Sequence, residues 1–222
     1  MNELLQKIAH CIEFGKINKI SPYPPDMKGM DGADELTVQA LAENIAADDI
    51  LKKALVPAME KVGVKFRENK IFVPQVLMSA KAMNTSILHL KPYFQSGEVK
   101  RKGTFIVGTV AGDLHDIGKN LVAMMVEGNG FEVIDLGTDV GADRFIESLK
   151  EHPDSSIGIS ALLTTTMVNM EGIVKEVKNS FPKTKIAVGG APVNEDFRKR
   201  IGADFYSPDP QGVVEYLNSM VV

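Results

Sequence analysis

Thr104-Phe-Ile-Val-Gly-Thr-Val110-Ala-Gly-Asp113-Leu-His115-Asp-Ile-Gly118 continues into Lys-Asn-Leu121-Val-Ala-Met124-Met125-Val-Glu-Gly-Asn129. A β-branched apolar run gives way to a short polar loop and then to apolar residues at helical spacing. The pattern predicts a strand over 104–110 and a helix over 117–129, with Leu121, Val122, Met124 and Met125 as the apolar positions. His115 therefore falls at the carboxyl end of a strand, where open α/β sheets gather their ligands. A neutral imidazole is the commonest nitrogen ligand for transition metals, and its second ring nitrogen usually donates to a carboxylate. Asp113 stands two positions upstream. Taken alone, the stretch leaves a metal site of unspecified kind open beside a histidine that merely satisfies its surroundings.

Downstream, strands are expected at 132–136, 156–161, 185–188 and 204–206, alternating with helices at 142–150, 167–180, 194–201 and 211–220. Alternation of that kind predicts a parallel, doubly wound sheet, a Rossmann-like (flavodoxin-like) α/β domain of five strands. Upstream the period is helical throughout. The segment 2–14 carries Leu4, Leu5, Ile8, Cys11 and Ile12 on one face, and Ser21-Pro-Tyr-Pro-Pro25 ends it. Helices follow at 34–45, 49–63 and 74–90, with Asp48 and Asp49 as N-caps and Pro74 in a first turn. The polar, charged run from Lys91 to Gly103 has the composition of a connection. The division expected is a helical bundle over 1–94, a linker over 95–102 and the α/β domain over 103–222.

Composition narrows the function classes. Hydrophobic residues make up 44% and charged residues 24% of 222 positions, which is the balance of an ordinary folded protein. A formal net charge of -4, with no long basic run, argues against a nucleic-acid partner. Cys11 is the single cysteine, so one chain can form neither a disulfide nor a cysteine-based zinc or iron–sulfur site. No apolar run approaches the ~20 residues that span a bilayer, and the amino terminus lacks a secretion signal. No membrane association is expected, and a cytoplasmic location is the default.

Three strand-end loops of the second half carry a family resemblance: Asp113-x-His115-x-x-Gly118, then Ser160-Ala-Leu162 with Thr164 and Thr166, then Gly189-Gly190. In that order they resemble the cobalamin-binding domain of methionine synthase and of corrinoid methyl carriers. Val62-Gly-Val-Lys-Phe66-Arg-Glu-Asn-Lys-Ile-Phe-Val73-Pro74-Gln-Val76, followed by Ser79-Ala-Lys-Ala-Met83, is similar to the helical cap domain of the same family. The resemblance extends from about Asp34 to the carboxyl terminus.

The resemblance implies a base-off/His-on cobalamin: dimethylbenzimidazole leaves cobalt, a protein histidine takes the lower axial position, and the nucleotide tail enters the α/β domain. His115 matches that ligand and Asp113 its orienting carboxylate, while Leu114, Asp116 and Ile117 complete the loop. Thr166 occupies the position of a relay hydroxyl. Gly118 and Gly189-Gly190 match the small residues along the tail, a demand that fits a ligand passing close to backbone. Ser160, Leu162 and Thr164 match the loop that hydrogen-bonds the tail and base, and Asp209 falls in the last strand-to-helix loop, which closes over the nucleotide. Phe66, Val73 and Val76 match the apolar cover of the upper corrin face, which shields the cobalt centre from water.

The function so implied is a methyl carrier without catalysis of its own. It would serve a substrate-specific methyltransferase of the methanol, methylamine or methoxylated-aromatic type, a second methyltransferase acting on tetrahydrofolate or coenzyme M, and a reductive activating protein. A cobalamin-dependent sensor is the alternative, and the short, non-basic amino-terminal helix argues against direct DNA binding. Adenosylcobalamin isomerases share the loop motif but need a substrate barrel. A hydrolase using Asp113, His115 and Asp116 around a metal leaves the other loops without a role. The segment 16–32 departs from the family, and its prolines and Tyr23 serve either loop packing or a partner surface.

Overall fold

Leu4, Leu5, Ile8, Cys11 and Ile12 line the buried stripe of α1 (Glu3–Phe14), in a computed structural model that describes residues 2–221. The Asn2 side chain accepts a hydrogen bond from the Leu4 N–H at 2.8 Å, and Gly15, at φ +73°, closes the helix in the left-handed conformation. A 3-10 turn at Pro25–Met27 leads to α2 (Ala33–Ala42), whose Glu35 carboxylate reaches back to the Gly32 N–H at 2.8 Å. Next come α3 (Ala47–Ile50), a π-helical turn (Leu51–Leu55) and α4 (Val56–Arg67) in one unbroken run. Pro57 cannot donate to the carbonyl four residues back, and the Val56 N–H bonds instead to Leu51 O, five back. The long α5 (Val73–Gln95) packs on α1, α2 and α4. Inside, Thr37 donates to Ser86 at 2.9 Å, so this bundle satisfies its buried hydroxyls internally.

Two expectations are corrected in this half. Ala46, not Asp48 or Asp49, is the N-cap of the third helix; both aspartates lie in its first turn and pair with Lys52 and Lys53 at 2.8 Å. Acidic charge there complements the helix dipole without capping it. Helix α5 also outlasts 74–90 and absorbs Lys91 to Phe94. Pro92 removes one backbone bond, on a turn where Leu88 and Pro92 are both exposed, so water replaces the lost partner.

The second half opens with β1 (Thr104–Thr109), and the chain then alternates: α6 (Ile117–Gly128), β2 (Glu132–Asp135), α7 (Ala142–Glu151), β3 (Ser156–Ser160), α8 (Thr164–Met167), α9 (Asn169–Ser180), β4 (Ile186–Gly189), α10 (Glu195–Ile201), β5 (Phe205–Tyr206) and α11 (Pro210–Met220). All five strands are parallel, in the order β2-β1-β3-β4-β5. Side chains alternate between the two faces of the sheet. Ile106, Ile157, Ile159, Ile186 and Val188 belong to a core with Phe145, Leu149, Val174, Val177 and Phe197 from α7, α9 and α10. Phe105, Val107 and Ala187 are buried on the other face. Gly158 is what admits the Phe105 ring there, because a Cβ on Gly158 would lie 2.4 Å from Phe105 Cζ.

The chain forms two compact units, residues 1–101 with 128–130, and 102–127 with 131–222. Pairing in register places Thr109 beside Ser160 and Ser160 beside Gly189. The loops after β1, β3 and β4 therefore leave the sheet from one level, which brings the three sequence motifs to a common edge.

Candidate functional site

Asp113 is fully buried, and its carboxylate is surrounded by donors. Oδ1 accepts from the His115 N–H at 3.1 Å and lies 2.7 Å from His115 Nδ1; Oδ2 accepts from the Leu162 N–H at 2.9 Å, the Leu163 N–H at 3.3 Å and the Thr166 hydroxyl at 2.6 Å. Burial alone would push this carboxyl up. The hydrogen bonds from Thr166, Leu162 and His115 outweigh it and hold the group well below the usual carboxylate range. An ionised carboxylate only accepts, so the proton of the neutral imidazole sits on Nδ1 and Nε2 carries the lone pair. The His115 side chain is 51% exposed, and Nε2 has no hydrogen-bond partner among the described residues.

The loop behind this pair is braced by β1 itself, by the loop after β2 and by the start of α9. The Thr109 hydroxyl donates to His115 O at 3.0 Å, the Gly112 N–H to Asp139 Oδ1 at 2.7 Å, the Asp139 N–H to Asp113 O at 3.1 Å, and Asn169 Nδ2 to Ala111 O at 2.9 Å. Asp116 faces outward and accepts from Asn120 Nδ2 at 2.9 Å. The described residues contain no cluster of three acidic, histidine or cysteine side chains able to hold a metal, so Asp113, His115 and Asp116 do not form the hydrolase centre weighed above.

Three residues after His115, Gly118 lines a groove of ≈ 380 Å³ that opens on the face of the sheet between α6 and α11. Gly118, Ser160, Gly189, Gly190 and Asp209 all line it, with Phe105, Val107, Val122, Tyr206 and Ser207. The glycines do different work. A Cβ on Gly118 would meet nothing within 4 Å and would only fill the groove. Gly190, at φ +119°, packs its backbone on the β3 loop, and a Cβ there would fall 1.8 Å from Ala161 O. Asp209 accepts from the Gly212 N–H at 3.1 Å as the N-cap of α11, so it shapes the groove rim by fixing that helix.

Thr164 is exposed in the first turn of α8 and lies neither on the groove nor in the Asp113 cluster. Exposed Leu114, Ile117, Leu162, Leu163 and Val168 belong to the same loops, an apolar set too large to be incidental around a polar pair. In the helical unit Phe66 and Val73 are half-buried and Val76 is buried, while Phe72, beside them in sequence, is 62% exposed. Tyr206, Ser207 and Lys119 on the groove were not singled out from sequence, and Val122 was read only as an apolar helix position. The visible signal was Gly158 inside an apolar strand, which marks a close approach on one sheet face.

A sheet of this topology, with a buried carboxylate holding a half-exposed histidine on a strand-end loop and a groove lined by the residues that follow it, defines a cofactor-binding α/β protein. Two family models agree: residues 103–212 and residues 30–91 each match a B12 binding domain. The chain belongs to the family of cobalamin-binding corrinoid proteins. It is 39% identical over 194 residues to trimethylamine corrinoid protein 1 of Methanosarcina acetivorans, covering 86% of this chain and 90% of that one. It is 40% identical over 208 residues to the dimethylamine corrinoid protein of Methanosarcina barkeri, covering 92% and 91%. Among solved structures it superposes on a chain of the methanol:cobalamin methyltransferase complex from Methanosarcina barkeri with a TM-score of 0.83 at 29% identity, over 99% of this chain and 80% of the other. No helix of the described residues is long and apolar enough to cross a membrane.

Proposed function

We propose that this protein carries methyl groups on a corrinoid between two methyltransferases, with His115 as the lower axial ligand of a base-off/His-on cobalamin. The observation that carries the reading is His115 itself: an imidazole fixed through Nδ1 by Asp113, with Nε2 without a hydrogen-bond partner among the described residues, three positions before Gly118 on the groove wall. The residues fit the cofactor. Gly118 leaves the groove free where any other residue would fill it, and Gly190 admits no side chain, so the tail has a path bounded by backbone. Leu114, Ile117, Leu162 and Leu163 are exposed apolar side chains suited to the edge of a macrocycle. Phe66, Val73 and Val76 are assigned to the cover of its upper face.

When bound, the corrinoid would supply a cobalt centre able to carry a methyl group between partners. The protein's part is to hold and tune the histidine. Asp113, kept ionised by its donors, fixes the Nδ1–H tautomer and raises the basicity of Nε2. The Thr166 hydroxyl and the Leu162 N–H hold the carboxylate, so the imidazole cannot swing. The buried Asp113 carboxylate would hold the Nδ1 side of the ring whether or not Nε2 were ligated.

The names of the relatives support a methylamine or methanol type of donor. The partners proposed are a substrate-specific methyltransferase, a methyltransferase acting on tetrahydrofolate or coenzyme M, and a reductive activating protein. The test is the absorption spectrum of protein loaded with cobalamin. His115→Ala should retain the cofactor through its tail and lose the His-on bands; a variant spectrum identical to wild type overturns the ligand assignment.

A further inference from the structure

Lys119 is a charged side chain in an improbable place. Only 2% of it is exposed, although it stands in the first turn of α6 on the wall of the groove. A buried ammonium is costly unless paired, and this one donates to Asn120 Oδ1 at 2.7 Å and forms a close ion pair with Asp135 Oδ2. Asp135 is the last residue of β2, the edge strand, and its other oxygen accepts from the Gly137 N–H at 2.9 Å. Gly137 O in turn accepts from the Thr109 N–H at 2.9 Å.

The pair therefore ties the first turn of α6 to the edge of the sheet, while α11 forms the opposite wall of the groove. We propose that Lys119 is a positioning residue: its ion pair with Asp135 holds the first turn of α6 away from α11 and keeps the groove open for a nucleotide tail. This inference rests on the cobalamin reading above. The turn needs such a tether because it carries little other restraint. Ile117 and Gly118 are exposed, and Gly118 touches nothing within 4 Å on its side-chain side. Lys119 is the one buried side chain among the first three residues of α6, and a turn with few buried contacts opens locally at little cost. Asn120 bonds to Lys119 and, through its side chain and its N–H, to Asp116, all local to the same turn.

The test uses the whole chain and the variants Lys119→Met, Asp135→Asn and the double variant. Asp135→Asn keeps an acceptor for Gly137 at a partly exposed position, so it preserves the fold if the buried methionine does not. Two readouts apply: amide hydrogen exchange over 117–122 in cobalamin-free protein, and cobalamin affinity by spectral titration. Each single variant should speed exchange in that turn and weaken binding by about tenfold or more, the scale on which removing one partner of a buried pair acts. The double variant should be no worse than the poorer single one. Unchanged exchange, additive losses, or an affinity loss confined to Lys119→Met would overturn the tether, the last by assigning the ammonium to the ligand. If wild type itself takes up no cobalamin, the proposed function fails, and the exchange comparison still decides the tether.

Discussion

A Cβ on Gly190 would lie 1.8 Å from the Ala161 carbonyl oxygen, and φ +119° is closed to L side chains. Gly190→Ala must therefore displace either the β4 loop or the loop that delivers Leu162 to Asp113. The expected loss is about 2–4 kcal/mol of folding stability, the range of strained or overpacked positions, measured by urea denaturation. Gly118→Ala should leave stability nearly unchanged in the same assay, because its Cβ meets open space. Sequence showed two glycines of one kind and could not separate these roles. Asp113 and His115 were legible because their bond spans two residues at a recognisable strand end. Lys119 was not, because its partner lies sixteen positions away across the sheet. Gly158 and Phe105 likewise meet only once β1 and β3 are paired.

At the level of elements, the boundary strand β5 is two residues long, and side-chain bonds at its entry supplement its short ladder. Asp204 accepts from Lys178 Nζ at 2.6 Å and from the Ile186 N–H at 2.9 Å, joining α9 and β4 to the start of β5. Burial would raise this carboxyl, but the bonds from Lys178 and Ile186 prevail and lower it. A depressed folded-state pKa contributes stability that is complete above the unfolded value, near ~3.9, and is lost as pH falls through the folded value. Asp204→Asn should thus be less stable than wild type at neutral pH, and the gap should narrow as pH falls below about 4. A gap of constant size would assign the loss to packing. The elements themselves were readable from period and turn chemistry, and every strand lies within a residue of its expected bounds. What escaped was set by tertiary context: the extra turn α8 ahead of the helix expected over 167–180, where Thr166 turns inward to Asp113, the π-helical turn before Pro57, and the continuation of α5 through Pro92.

For the molecule as a whole, the division into two compact units falls at Arg101 and Lys102, within a stretch expected from composition to be a connection. The segment after α5 is only partly free. Val99 is buried, with its N–H on Tyr93 O at 3.1 Å, and the Arg101 guanidinium stacks 4.1 Å from the Phe94 ring. Lys100 between them is exposed. Limited trypsin digestion should therefore cut first after Lys100, because a protease needs an accessible bond in a segment that opens locally at low cost. The carboxyl-terminal product contains the whole sheet, the Asp113–His115 pair and every residue lining the groove. Separated from the helical unit, it should bind cobalamin and show the His-on spectrum, since the proposed ligand and tail path lie within it. Its bound cobalt centre should also oxidise faster than in the intact chain, because the residues assigned to the upper face, Phe66, Val73 and Val76, have been removed. Binding without faster oxidation would locate the shield elsewhere, and a product that is folded but takes up no cobalamin would show that the groove depends on the helical unit.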